Sequence, residues 1–146
     1  MLKEQLQQDL KAAMLAGDKP KAEVLRGLKS AILYEEVAKG VKDIGLDDAA
    51  ILNVLGREAK KRAESIELYR GAGETERADK EAAEKAIIER YLPAQLSDEA
   101  LNAAIDKAMT ELGAGAQMGQ IIGKVRGLVG QQADGGRIAA AVKAKL

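Results

Sequence analysis

Cysteine, histidine, phenylalanine and tryptophan are all missing from the 146 residues, and three tyrosines are the only aromatic side chains. Without cysteine there is no disulfide framework, no thiolate nucleophile and no zinc site of the usual Cys/His kind. Without histidine the chain lacks the commonest general base, the side chain whose ordinary pKa lies nearest neutrality. Charge of either sign is not in excess either: Lys plus Arg and Asp plus Glu stand at 23 each, so the molecule as a whole has no net field to steer a polyanion. No run of apolar residues approaches membrane-spanning length, and the opening MLKEQLQQDL has no apolar centre of the signal-peptide kind. The expectation is a cytoplasmic protein with no membrane partner.

What is present points to helices. Alanine occurs 27 times, and the remaining core material is Leu, Ile and Val. Alanine and leucine are the best helix formers, whereas the aromatic residues that favour strands are nearly absent. A chain of this length buries roughly 68 to 70% of its unfolded surface, enough for one domain or two small helical units. The fold class expected is all-α.

The spacing predicts seven helices. Leu2, Leu6, Leu10 and Met14 recur every four residues up to Gly17. Asp18 and Pro20 open a second helix with Val24, Leu25, Leu28, Ala31 and Ile32 on one face and Gly40 at its end. Val41 to Leu46 is a connection, and Asp47 caps a long third helix whose apolar side is Ile51, Leu55, Ala59, Ile66 and Tyr69. Gly71-Ala72-Gly73 makes the turn into a fourth, which runs to Tyr91-Leu92 and stops at Pro93. Ser97 caps the fifth, the sixth begins near Gln117 after Gly113-Ala114-Gly115, and Asp134 caps the seventh. The boundary falls at Pro93: residues 1–92 form an N-terminal four-helix unit and residues 93–146 a C-terminal three-helix unit.

Charge is distributed unevenly about that boundary. Residues 1–92 hold 17 basic and 18 acidic side chains, whereas from Ala114 onward there are five basic residues and only Asp134 on the acidic side. This tail, net +4, offers Lys124, Arg126, Arg137, Lys143 and Lys145 as phosphate contacts.

Leu25-Arg26-Gly27-Leu28-Lys29-Ser30-Ala31-Ile32, then Lys60-Lys61-Arg62-Ala63-Glu64-Ser65 with Tyr69, then Glu81 and Glu84 ahead of Tyr91-Leu92-Pro93-Ala94-Gln95-Leu96-Ser97, and finally Met118-Gly119 and Ala133-Asp134-Gly135, run in order over nearly the whole chain. Together they resemble the YqeY family, the YLPAQLS junction most specifically. The resemblance implies a GatB/YqeY-type protein of two helical subdomains. The second is similar to the tail of the B subunit of tRNA-dependent amidotransferase, a part that touches tRNA. It also implies, by similarity, a carbon–nitrogen ligase with glutamine as amido donor, although the stand-alone family brings no established activity with it. Gln120, Gly130 and Gln132 stand where the resemblance leads one to expect Lys or Arg.

Three constellations carry the candidate chemistry. On the sixth helix Met118, Ile121, Ile122, Val125 and Val129 share one face, while Gly119, Gly123 and Gly127, with Gly130, gather on the other. Each interior glycine costs about 1 kcal/mol relative to alanine, so the strip needs a compensating close approach. A neighbouring helix is the commoner use of such a strip, and a sugar-phosphate chain lying between Lys124 and Arg126 is the functional one. A phosphate-binding nucleotide loop does not fit, because Val125 rather than Ser or Thr follows Gly123-Lys124 and no strand precedes it.

Glu81 and Glu84 lie three apart on the fourth helix, a spacing compatible with acid/base or metal chemistry. A hairpin turning at Ala72 brings position 62 opposite position 82, so the simpler reading is a structural ion pair with Arg62. The basic run Arg57, Lys60, Lys61 and Arg62 is interleaved with Glu58, Glu64 and Glu67 and reads as a salt-bridged solvent face, with Lys60 and Glu64 at i, i+4. Ser30, Ser65 and Ser97 are the only serines, and none lies in a recognisable nucleophile setting.

The function expected from the sequence is a non-catalytic helical module binding structured RNA, tRNA in particular, with no cofactor and no metal. The alternatives are a protein-interaction adaptor joining a larger complex and an amidotransferase-related component.

Overall fold

A computed structural model describes residues 1–146. Seven α-helices and one 3-10 turn make up the regular structure: α1 Leu2–Leu15, α2 Lys19–Ala38, α3 Asp48–Gly71, α4 Thr75–Glu89, α5 Asp98–Leu112, α6 Met118–Val129, the turn Gly130–Gln132 and α7 Gly135–Lys145. No helix is long and apolar enough to cross a membrane. The chain packs as two compact units, Met1–Leu92 (unit 1) and Pro93–Leu146 (unit 2), each with its own core.

In unit 1, α1 buries Leu6, Leu10 and Ala13, and α2 buries Ala22, Val24, Leu25, Leu28 and Ile32. Met14, expected on the buried stripe, is 54% exposed. A four-residue spacing overshoots one helical turn by 40°, so the stripe drifts and Ala13 takes the inward position. The Asp18 carboxylate accepts the Lys21 N–H at 3.3 Å, and Pro20 lies in the first turn, where its missing N–H costs no hydrogen bond. Asp47 caps α3 in the same way, accepting the Ala50 N–H at 2.8 Å. α3 and α4 then form a hairpin turning through Ala72 and Gly73, the latter at φ +76.

The end of α4 differs from expectation. Its last helical residue is Glu89, and Tyr91 and Leu92 follow in a tighter turn, their N–H groups donating to Ile88 and Glu89 carbonyls. The residue before a proline is disfavoured in α geometry, and the chain leaves the helix early to meet Pro93. Both side chains still pack on the unit 1 core, and the Tyr91 hydroxyl donates to Asp9 Oδ2 at 2.5 Å.

Unit 2 is built on Leu101, Ile105, Ala108, Ile121, Val125, Val129, Ile138 and Val142. Ser97 Oγ accepts the Ala100 N–H to start α5, and Asp134 accepts the Arg137 N–H to start α7. The 3-10 turn between α6 and α7 was not legible in the spacing, and it explains the junction motif. Leu96 N–H donates to the Gln132 carbonyl at 2.8 Å, and Gln95 Nε2 to the Gln131 carbonyl at 2.9 Å. Tyr91-Leu92 thus belongs to the core of unit 1, and Gln95-Leu96-Ser97 to the framework of unit 2.

Candidate nucleic-acid interface

The two faces of α6 are as distinct in space as in sequence. Ile121, Val125 and Val129 are buried, while Gly119, Gly123 and Gly127 are exposed. A Cβ built on any of the three would meet nothing within 4 Å. The commoner use of such a strip, close packing on a neighbouring helix, is therefore not realised within unit 2. Gly130 does not belong to the strip: it ends the helix at φ +54, a left-handed conformation suited to glycine.

The five candidate cations of unit 2 divide into two groups. Lys124 pairs with Glu111 at 3.0 Å, Arg137 with Asp98 at 2.9 Å and Lys145 with Asp106 at 2.7 Å. Arg126 and Lys143 have no carboxylate partner. The Arg126 guanidinium lies over the first turn of α7, 3.9 Å from where a Cβ on Gly135 would stand. Three of the five proposed phosphate contacts are thus engaged with α5. The net +4 of residues 114–146 hides this pairing, because the segment starts just beyond the acidic residues of α5. Counted over Pro93–Leu146, six basic and five acidic side chains leave only +1.

Two of the positions where a cation was expected have structural uses. Gln120 Oε1 accepts the Gln117 N–H at 2.9 Å, closing the first turn of α6, which a lysine or arginine has no acceptor to do. Gly130 supplies the helix-ending conformation just described. Gln132 contributes its backbone carbonyl to Leu96.

In unit 1 the structure brings Arg62 to two of the carboxylates of α4, Glu81 and Glu84. Its Nη1 donates to Glu81 Oε2 at 3.1 Å and to Glu84 Oε2, with the three side chains between 14 and 27% exposed. The neighbouring run is also paired, Arg57 with Glu35 at 3.1 Å and Lys61 with Glu58 at 3.2 Å. The expected Lys60–Glu64 pair is not among the ion pairs formed. No cluster of three or more acidic side chains is arranged to hold a metal ion.

One buried charged residue went unnoticed in the sequence. Glu36 lies on the apolar stripe of α2 at 1% exposure, accepting from Lys3 Nζ at 2.9 Å and from the Leu46 N–H at 3.0 Å. The Lys3 hydrogen bond first, and the Leu46 amide second, hold its carboxyl below the ordinary value against the opposing effect of burial. Its only sequence signal is an acidic residue at i+4 from Ile32, where the periodicity calls for an apolar one.

Fold and interface together define a class, all-α proteins made of two small helical units, one of which presents an uncovered backbone face. The family model described as Yqey-like protein matches residues 3–146, and the chain belongs to the YqeY family. Among curated proteins it is similar to the one named "Altered inheritance of mitochondria protein 41, mitochondrial" from Kluyveromyces lactis, 32% identical over 125 residues, covering 82% of this chain and 66% of that protein. Proteins of the same name from Lachancea thermotolerans and Eremothecium gossypii are 33 and 34% identical, each over 73% of this chain and 57 and 58% of their own lengths. The chain therefore spans about three-fifths of the curated relatives it matches. The cytoplasmic expectation is corrected here, since these relatives are named as mitochondrial proteins. Composition and hydropathy bear on which segments enter a membrane, not on which aqueous compartment holds the folded chain.

Proposed function

We propose that the chain is a non-catalytic helical module that binds structured RNA, tRNA in particular, through residues 93–146. The observation supporting this reading is the uncovered backbone of α6, where a Cβ on Gly119, Gly123 or Gly127 would meet nothing within 4 Å, beside an unpaired Arg126. Three glycines weaken the helix by about 1 kcal/mol each relative to alanine, and nothing inside unit 2 uses the space they leave. A sugar-phosphate backbone lying along the strip does use it, with Arg126 as its first cation. Exposed ion pairs contribute only about 0 to 1 kcal/mol, so Lys124, Arg137 and Lys145 can exchange a carboxylate for a phosphate at little cost. With about two to four phosphates engaged, binding is weak, and log affinity falls against log salt with a slope of about −2 to −4. No aromatic side chain occurs in residues 93–146 to stack on bases, so folded RNA is preferred over single strands.

Filter binding of tRNA at several salt concentrations tests the reading. Arg126→Glu with Lys143→Glu abolishes binding at unchanged helicity. Gly119→Ala, Gly123→Ala and Gly127→Ala together raise thermal stability, because each new methyl meets only solvent, yet weaken tRNA binding by filling the strip. Absence of binding by the native chain at low salt, or affinity unmoved in both variants, transfers the assignment to the protein-interaction adaptor.

A further inference from the structure

A second surface, in unit 1, has a chemistry unlike the first. Between α1 and α2 runs an open groove of about 450 Å³. Behind it lie the core side chains Leu6, Leu10 and Ile32, almost wholly buried, and the apolar surface it exposes is that of Leu33, 46% exposed. Val37, one turn beyond Leu33 and 59% exposed, extends the apolar surface along α2.

The edge of the groove is cationic. Arg26, Lys29 and Ser30 follow one another at helical spacing ahead of Leu33, so the outward half of the Leu25–Ile32 motif forms the polar rim of the groove. Lys29 Nζ donates to the amide oxygen of Gln7, and Arg26 has no ion pair. The only carboxylate lining the groove is Glu36, and it is already engaged by Lys3 and the Leu46 amide. On a chain of zero net charge this leaves an apolar groove with two positive side chains lacking a counter-charge.

We propose that this groove docks an amphipathic helix of a protein partner whose apolar stripe is flanked by Asp or Glu. Three considerations select that occupant. A small amphiphile is normally enclosed over about 70 to 90% of its surface, and a groove open along its length encloses far less. A helix arrives with its backbone already hydrogen-bonded and buries only the stripe at i, i+3, i+4 and i+7, which an open groove between two helices accepts. Single-stranded nucleic acid finds no aromatic side chain among the lining residues to stack on, and the aliphatic lining offers the phosphate backbone of a folded RNA no hydrogen-bond donor. The unmatched charges of Arg26 and Lys29 then set the sign of the flanking residues on the partner.

The experiment uses the full chain and a displayed library of helical peptides, with Leu, Ile or Met fixed at i, i+3, i+4 and i+7 and either Glu or Lys at each flanking position. The native chain enriches Glu flanks. Arg26→Glu with Lys29→Glu enriches Lys flanks, and binds the peptide selected on the native chain at least about tenfold more weakly by fluorescence anisotropy. Leu33→Gln weakens every selected peptide, with circular dichroism confirming that each variant keeps its helices. Arg126→Glu with Lys143→Glu leaves peptide binding unchanged, which separates this site from the RNA reading. Failure to enrich any peptide, indifference to flank charge, or retained affinity in the Arg26/Lys29 double variant overturns the proposal. Competitive displacement of the peptide by laurate or by tRNA also overturns it, and names a small amphiphile or RNA as the occupant instead.

Discussion

Glu36 shows what a single side chain does when its partners are distant in sequence. Lys3 lies 33 positions away and Leu46 ten, so neither is visible in a local pattern. The caps Asp18, Asp47, Ser97 and Asp134 were legible because each acts three residues downstream. With the folded carboxyl held below the ordinary 4.5 by Lys3 and the Leu46 amide, its ionised form favours the folded state. That contribution is fully present above the unfolded value and is lost as pH falls through the depressed folded value. Urea unfolding measured from pH 7 downward should therefore show stability declining below about pH 4.5, and Glu36→Gln should flatten part of that decline. An acid limb identical in the variant would remove Glu36 from the cause.

At the scale of elements, the α3–α4 hairpin was legible because a turn at a known place fixes which positions face each other across it. The Arg62 contacts with Glu81 and Glu84 follow from that arithmetic. Replacing Arg62 by Leu leaves two carboxylates three residues apart, partly buried and without a counter-charge. The expected cost is about 1 to 3 kcal/mol, towards the lower end because the guanidinium keeps 27% exposure. Adding Glu81→Gln and Glu84→Gln to Arg62→Leu should recover part of the loss in urea titrations, since the repulsion is then gone. Native-like stability of the single variant would show that the pairing contributes nothing measurable. The glycine strip of α6 was equally legible as a strip, but not what covers it. Periodicity assigns residues to a face; only tertiary packing decides whether another element lies against that face, and within unit 2 none does.

For the whole molecule, composition settled the all-helical class, while charge counting misled until the acidic residues of α5 were set beside the tail. The same composition bears on chemistry. Release of ammonia from glutamine by a covalent route needs a nucleophile, a base to activate it and donors for the oxyanion. Histidine and cysteine are absent, leaving two threonines and three serines. Thr75 opens α4, and the Thr110 hydroxyl donates to the Asp106 carbonyl one turn back. Ser97 Oγ is used as a helix cap by the Ala100 N–H. Ser30 stands on the rim of the α1–α2 groove, where the adjacent Lys29 ammonium is engaged by Gln7 rather than by the serine. Ser65 lies within α3, in the middle of a helix whose backbone N–H groups are taken up by the helix itself and supply no oxyanion donors. The purified chain given glutamine, ATP and tRNA is therefore expected to release neither glutamate nor ammonia above the no-protein control, followed by a coupled glutamate dehydrogenase assay. Turnover that persists through a second purification and disappears in Ser30→Ala or Ser65→Ala would place a catalytic centre on α2 or α3, and with it an amidotransferase-related role in place of a binding one.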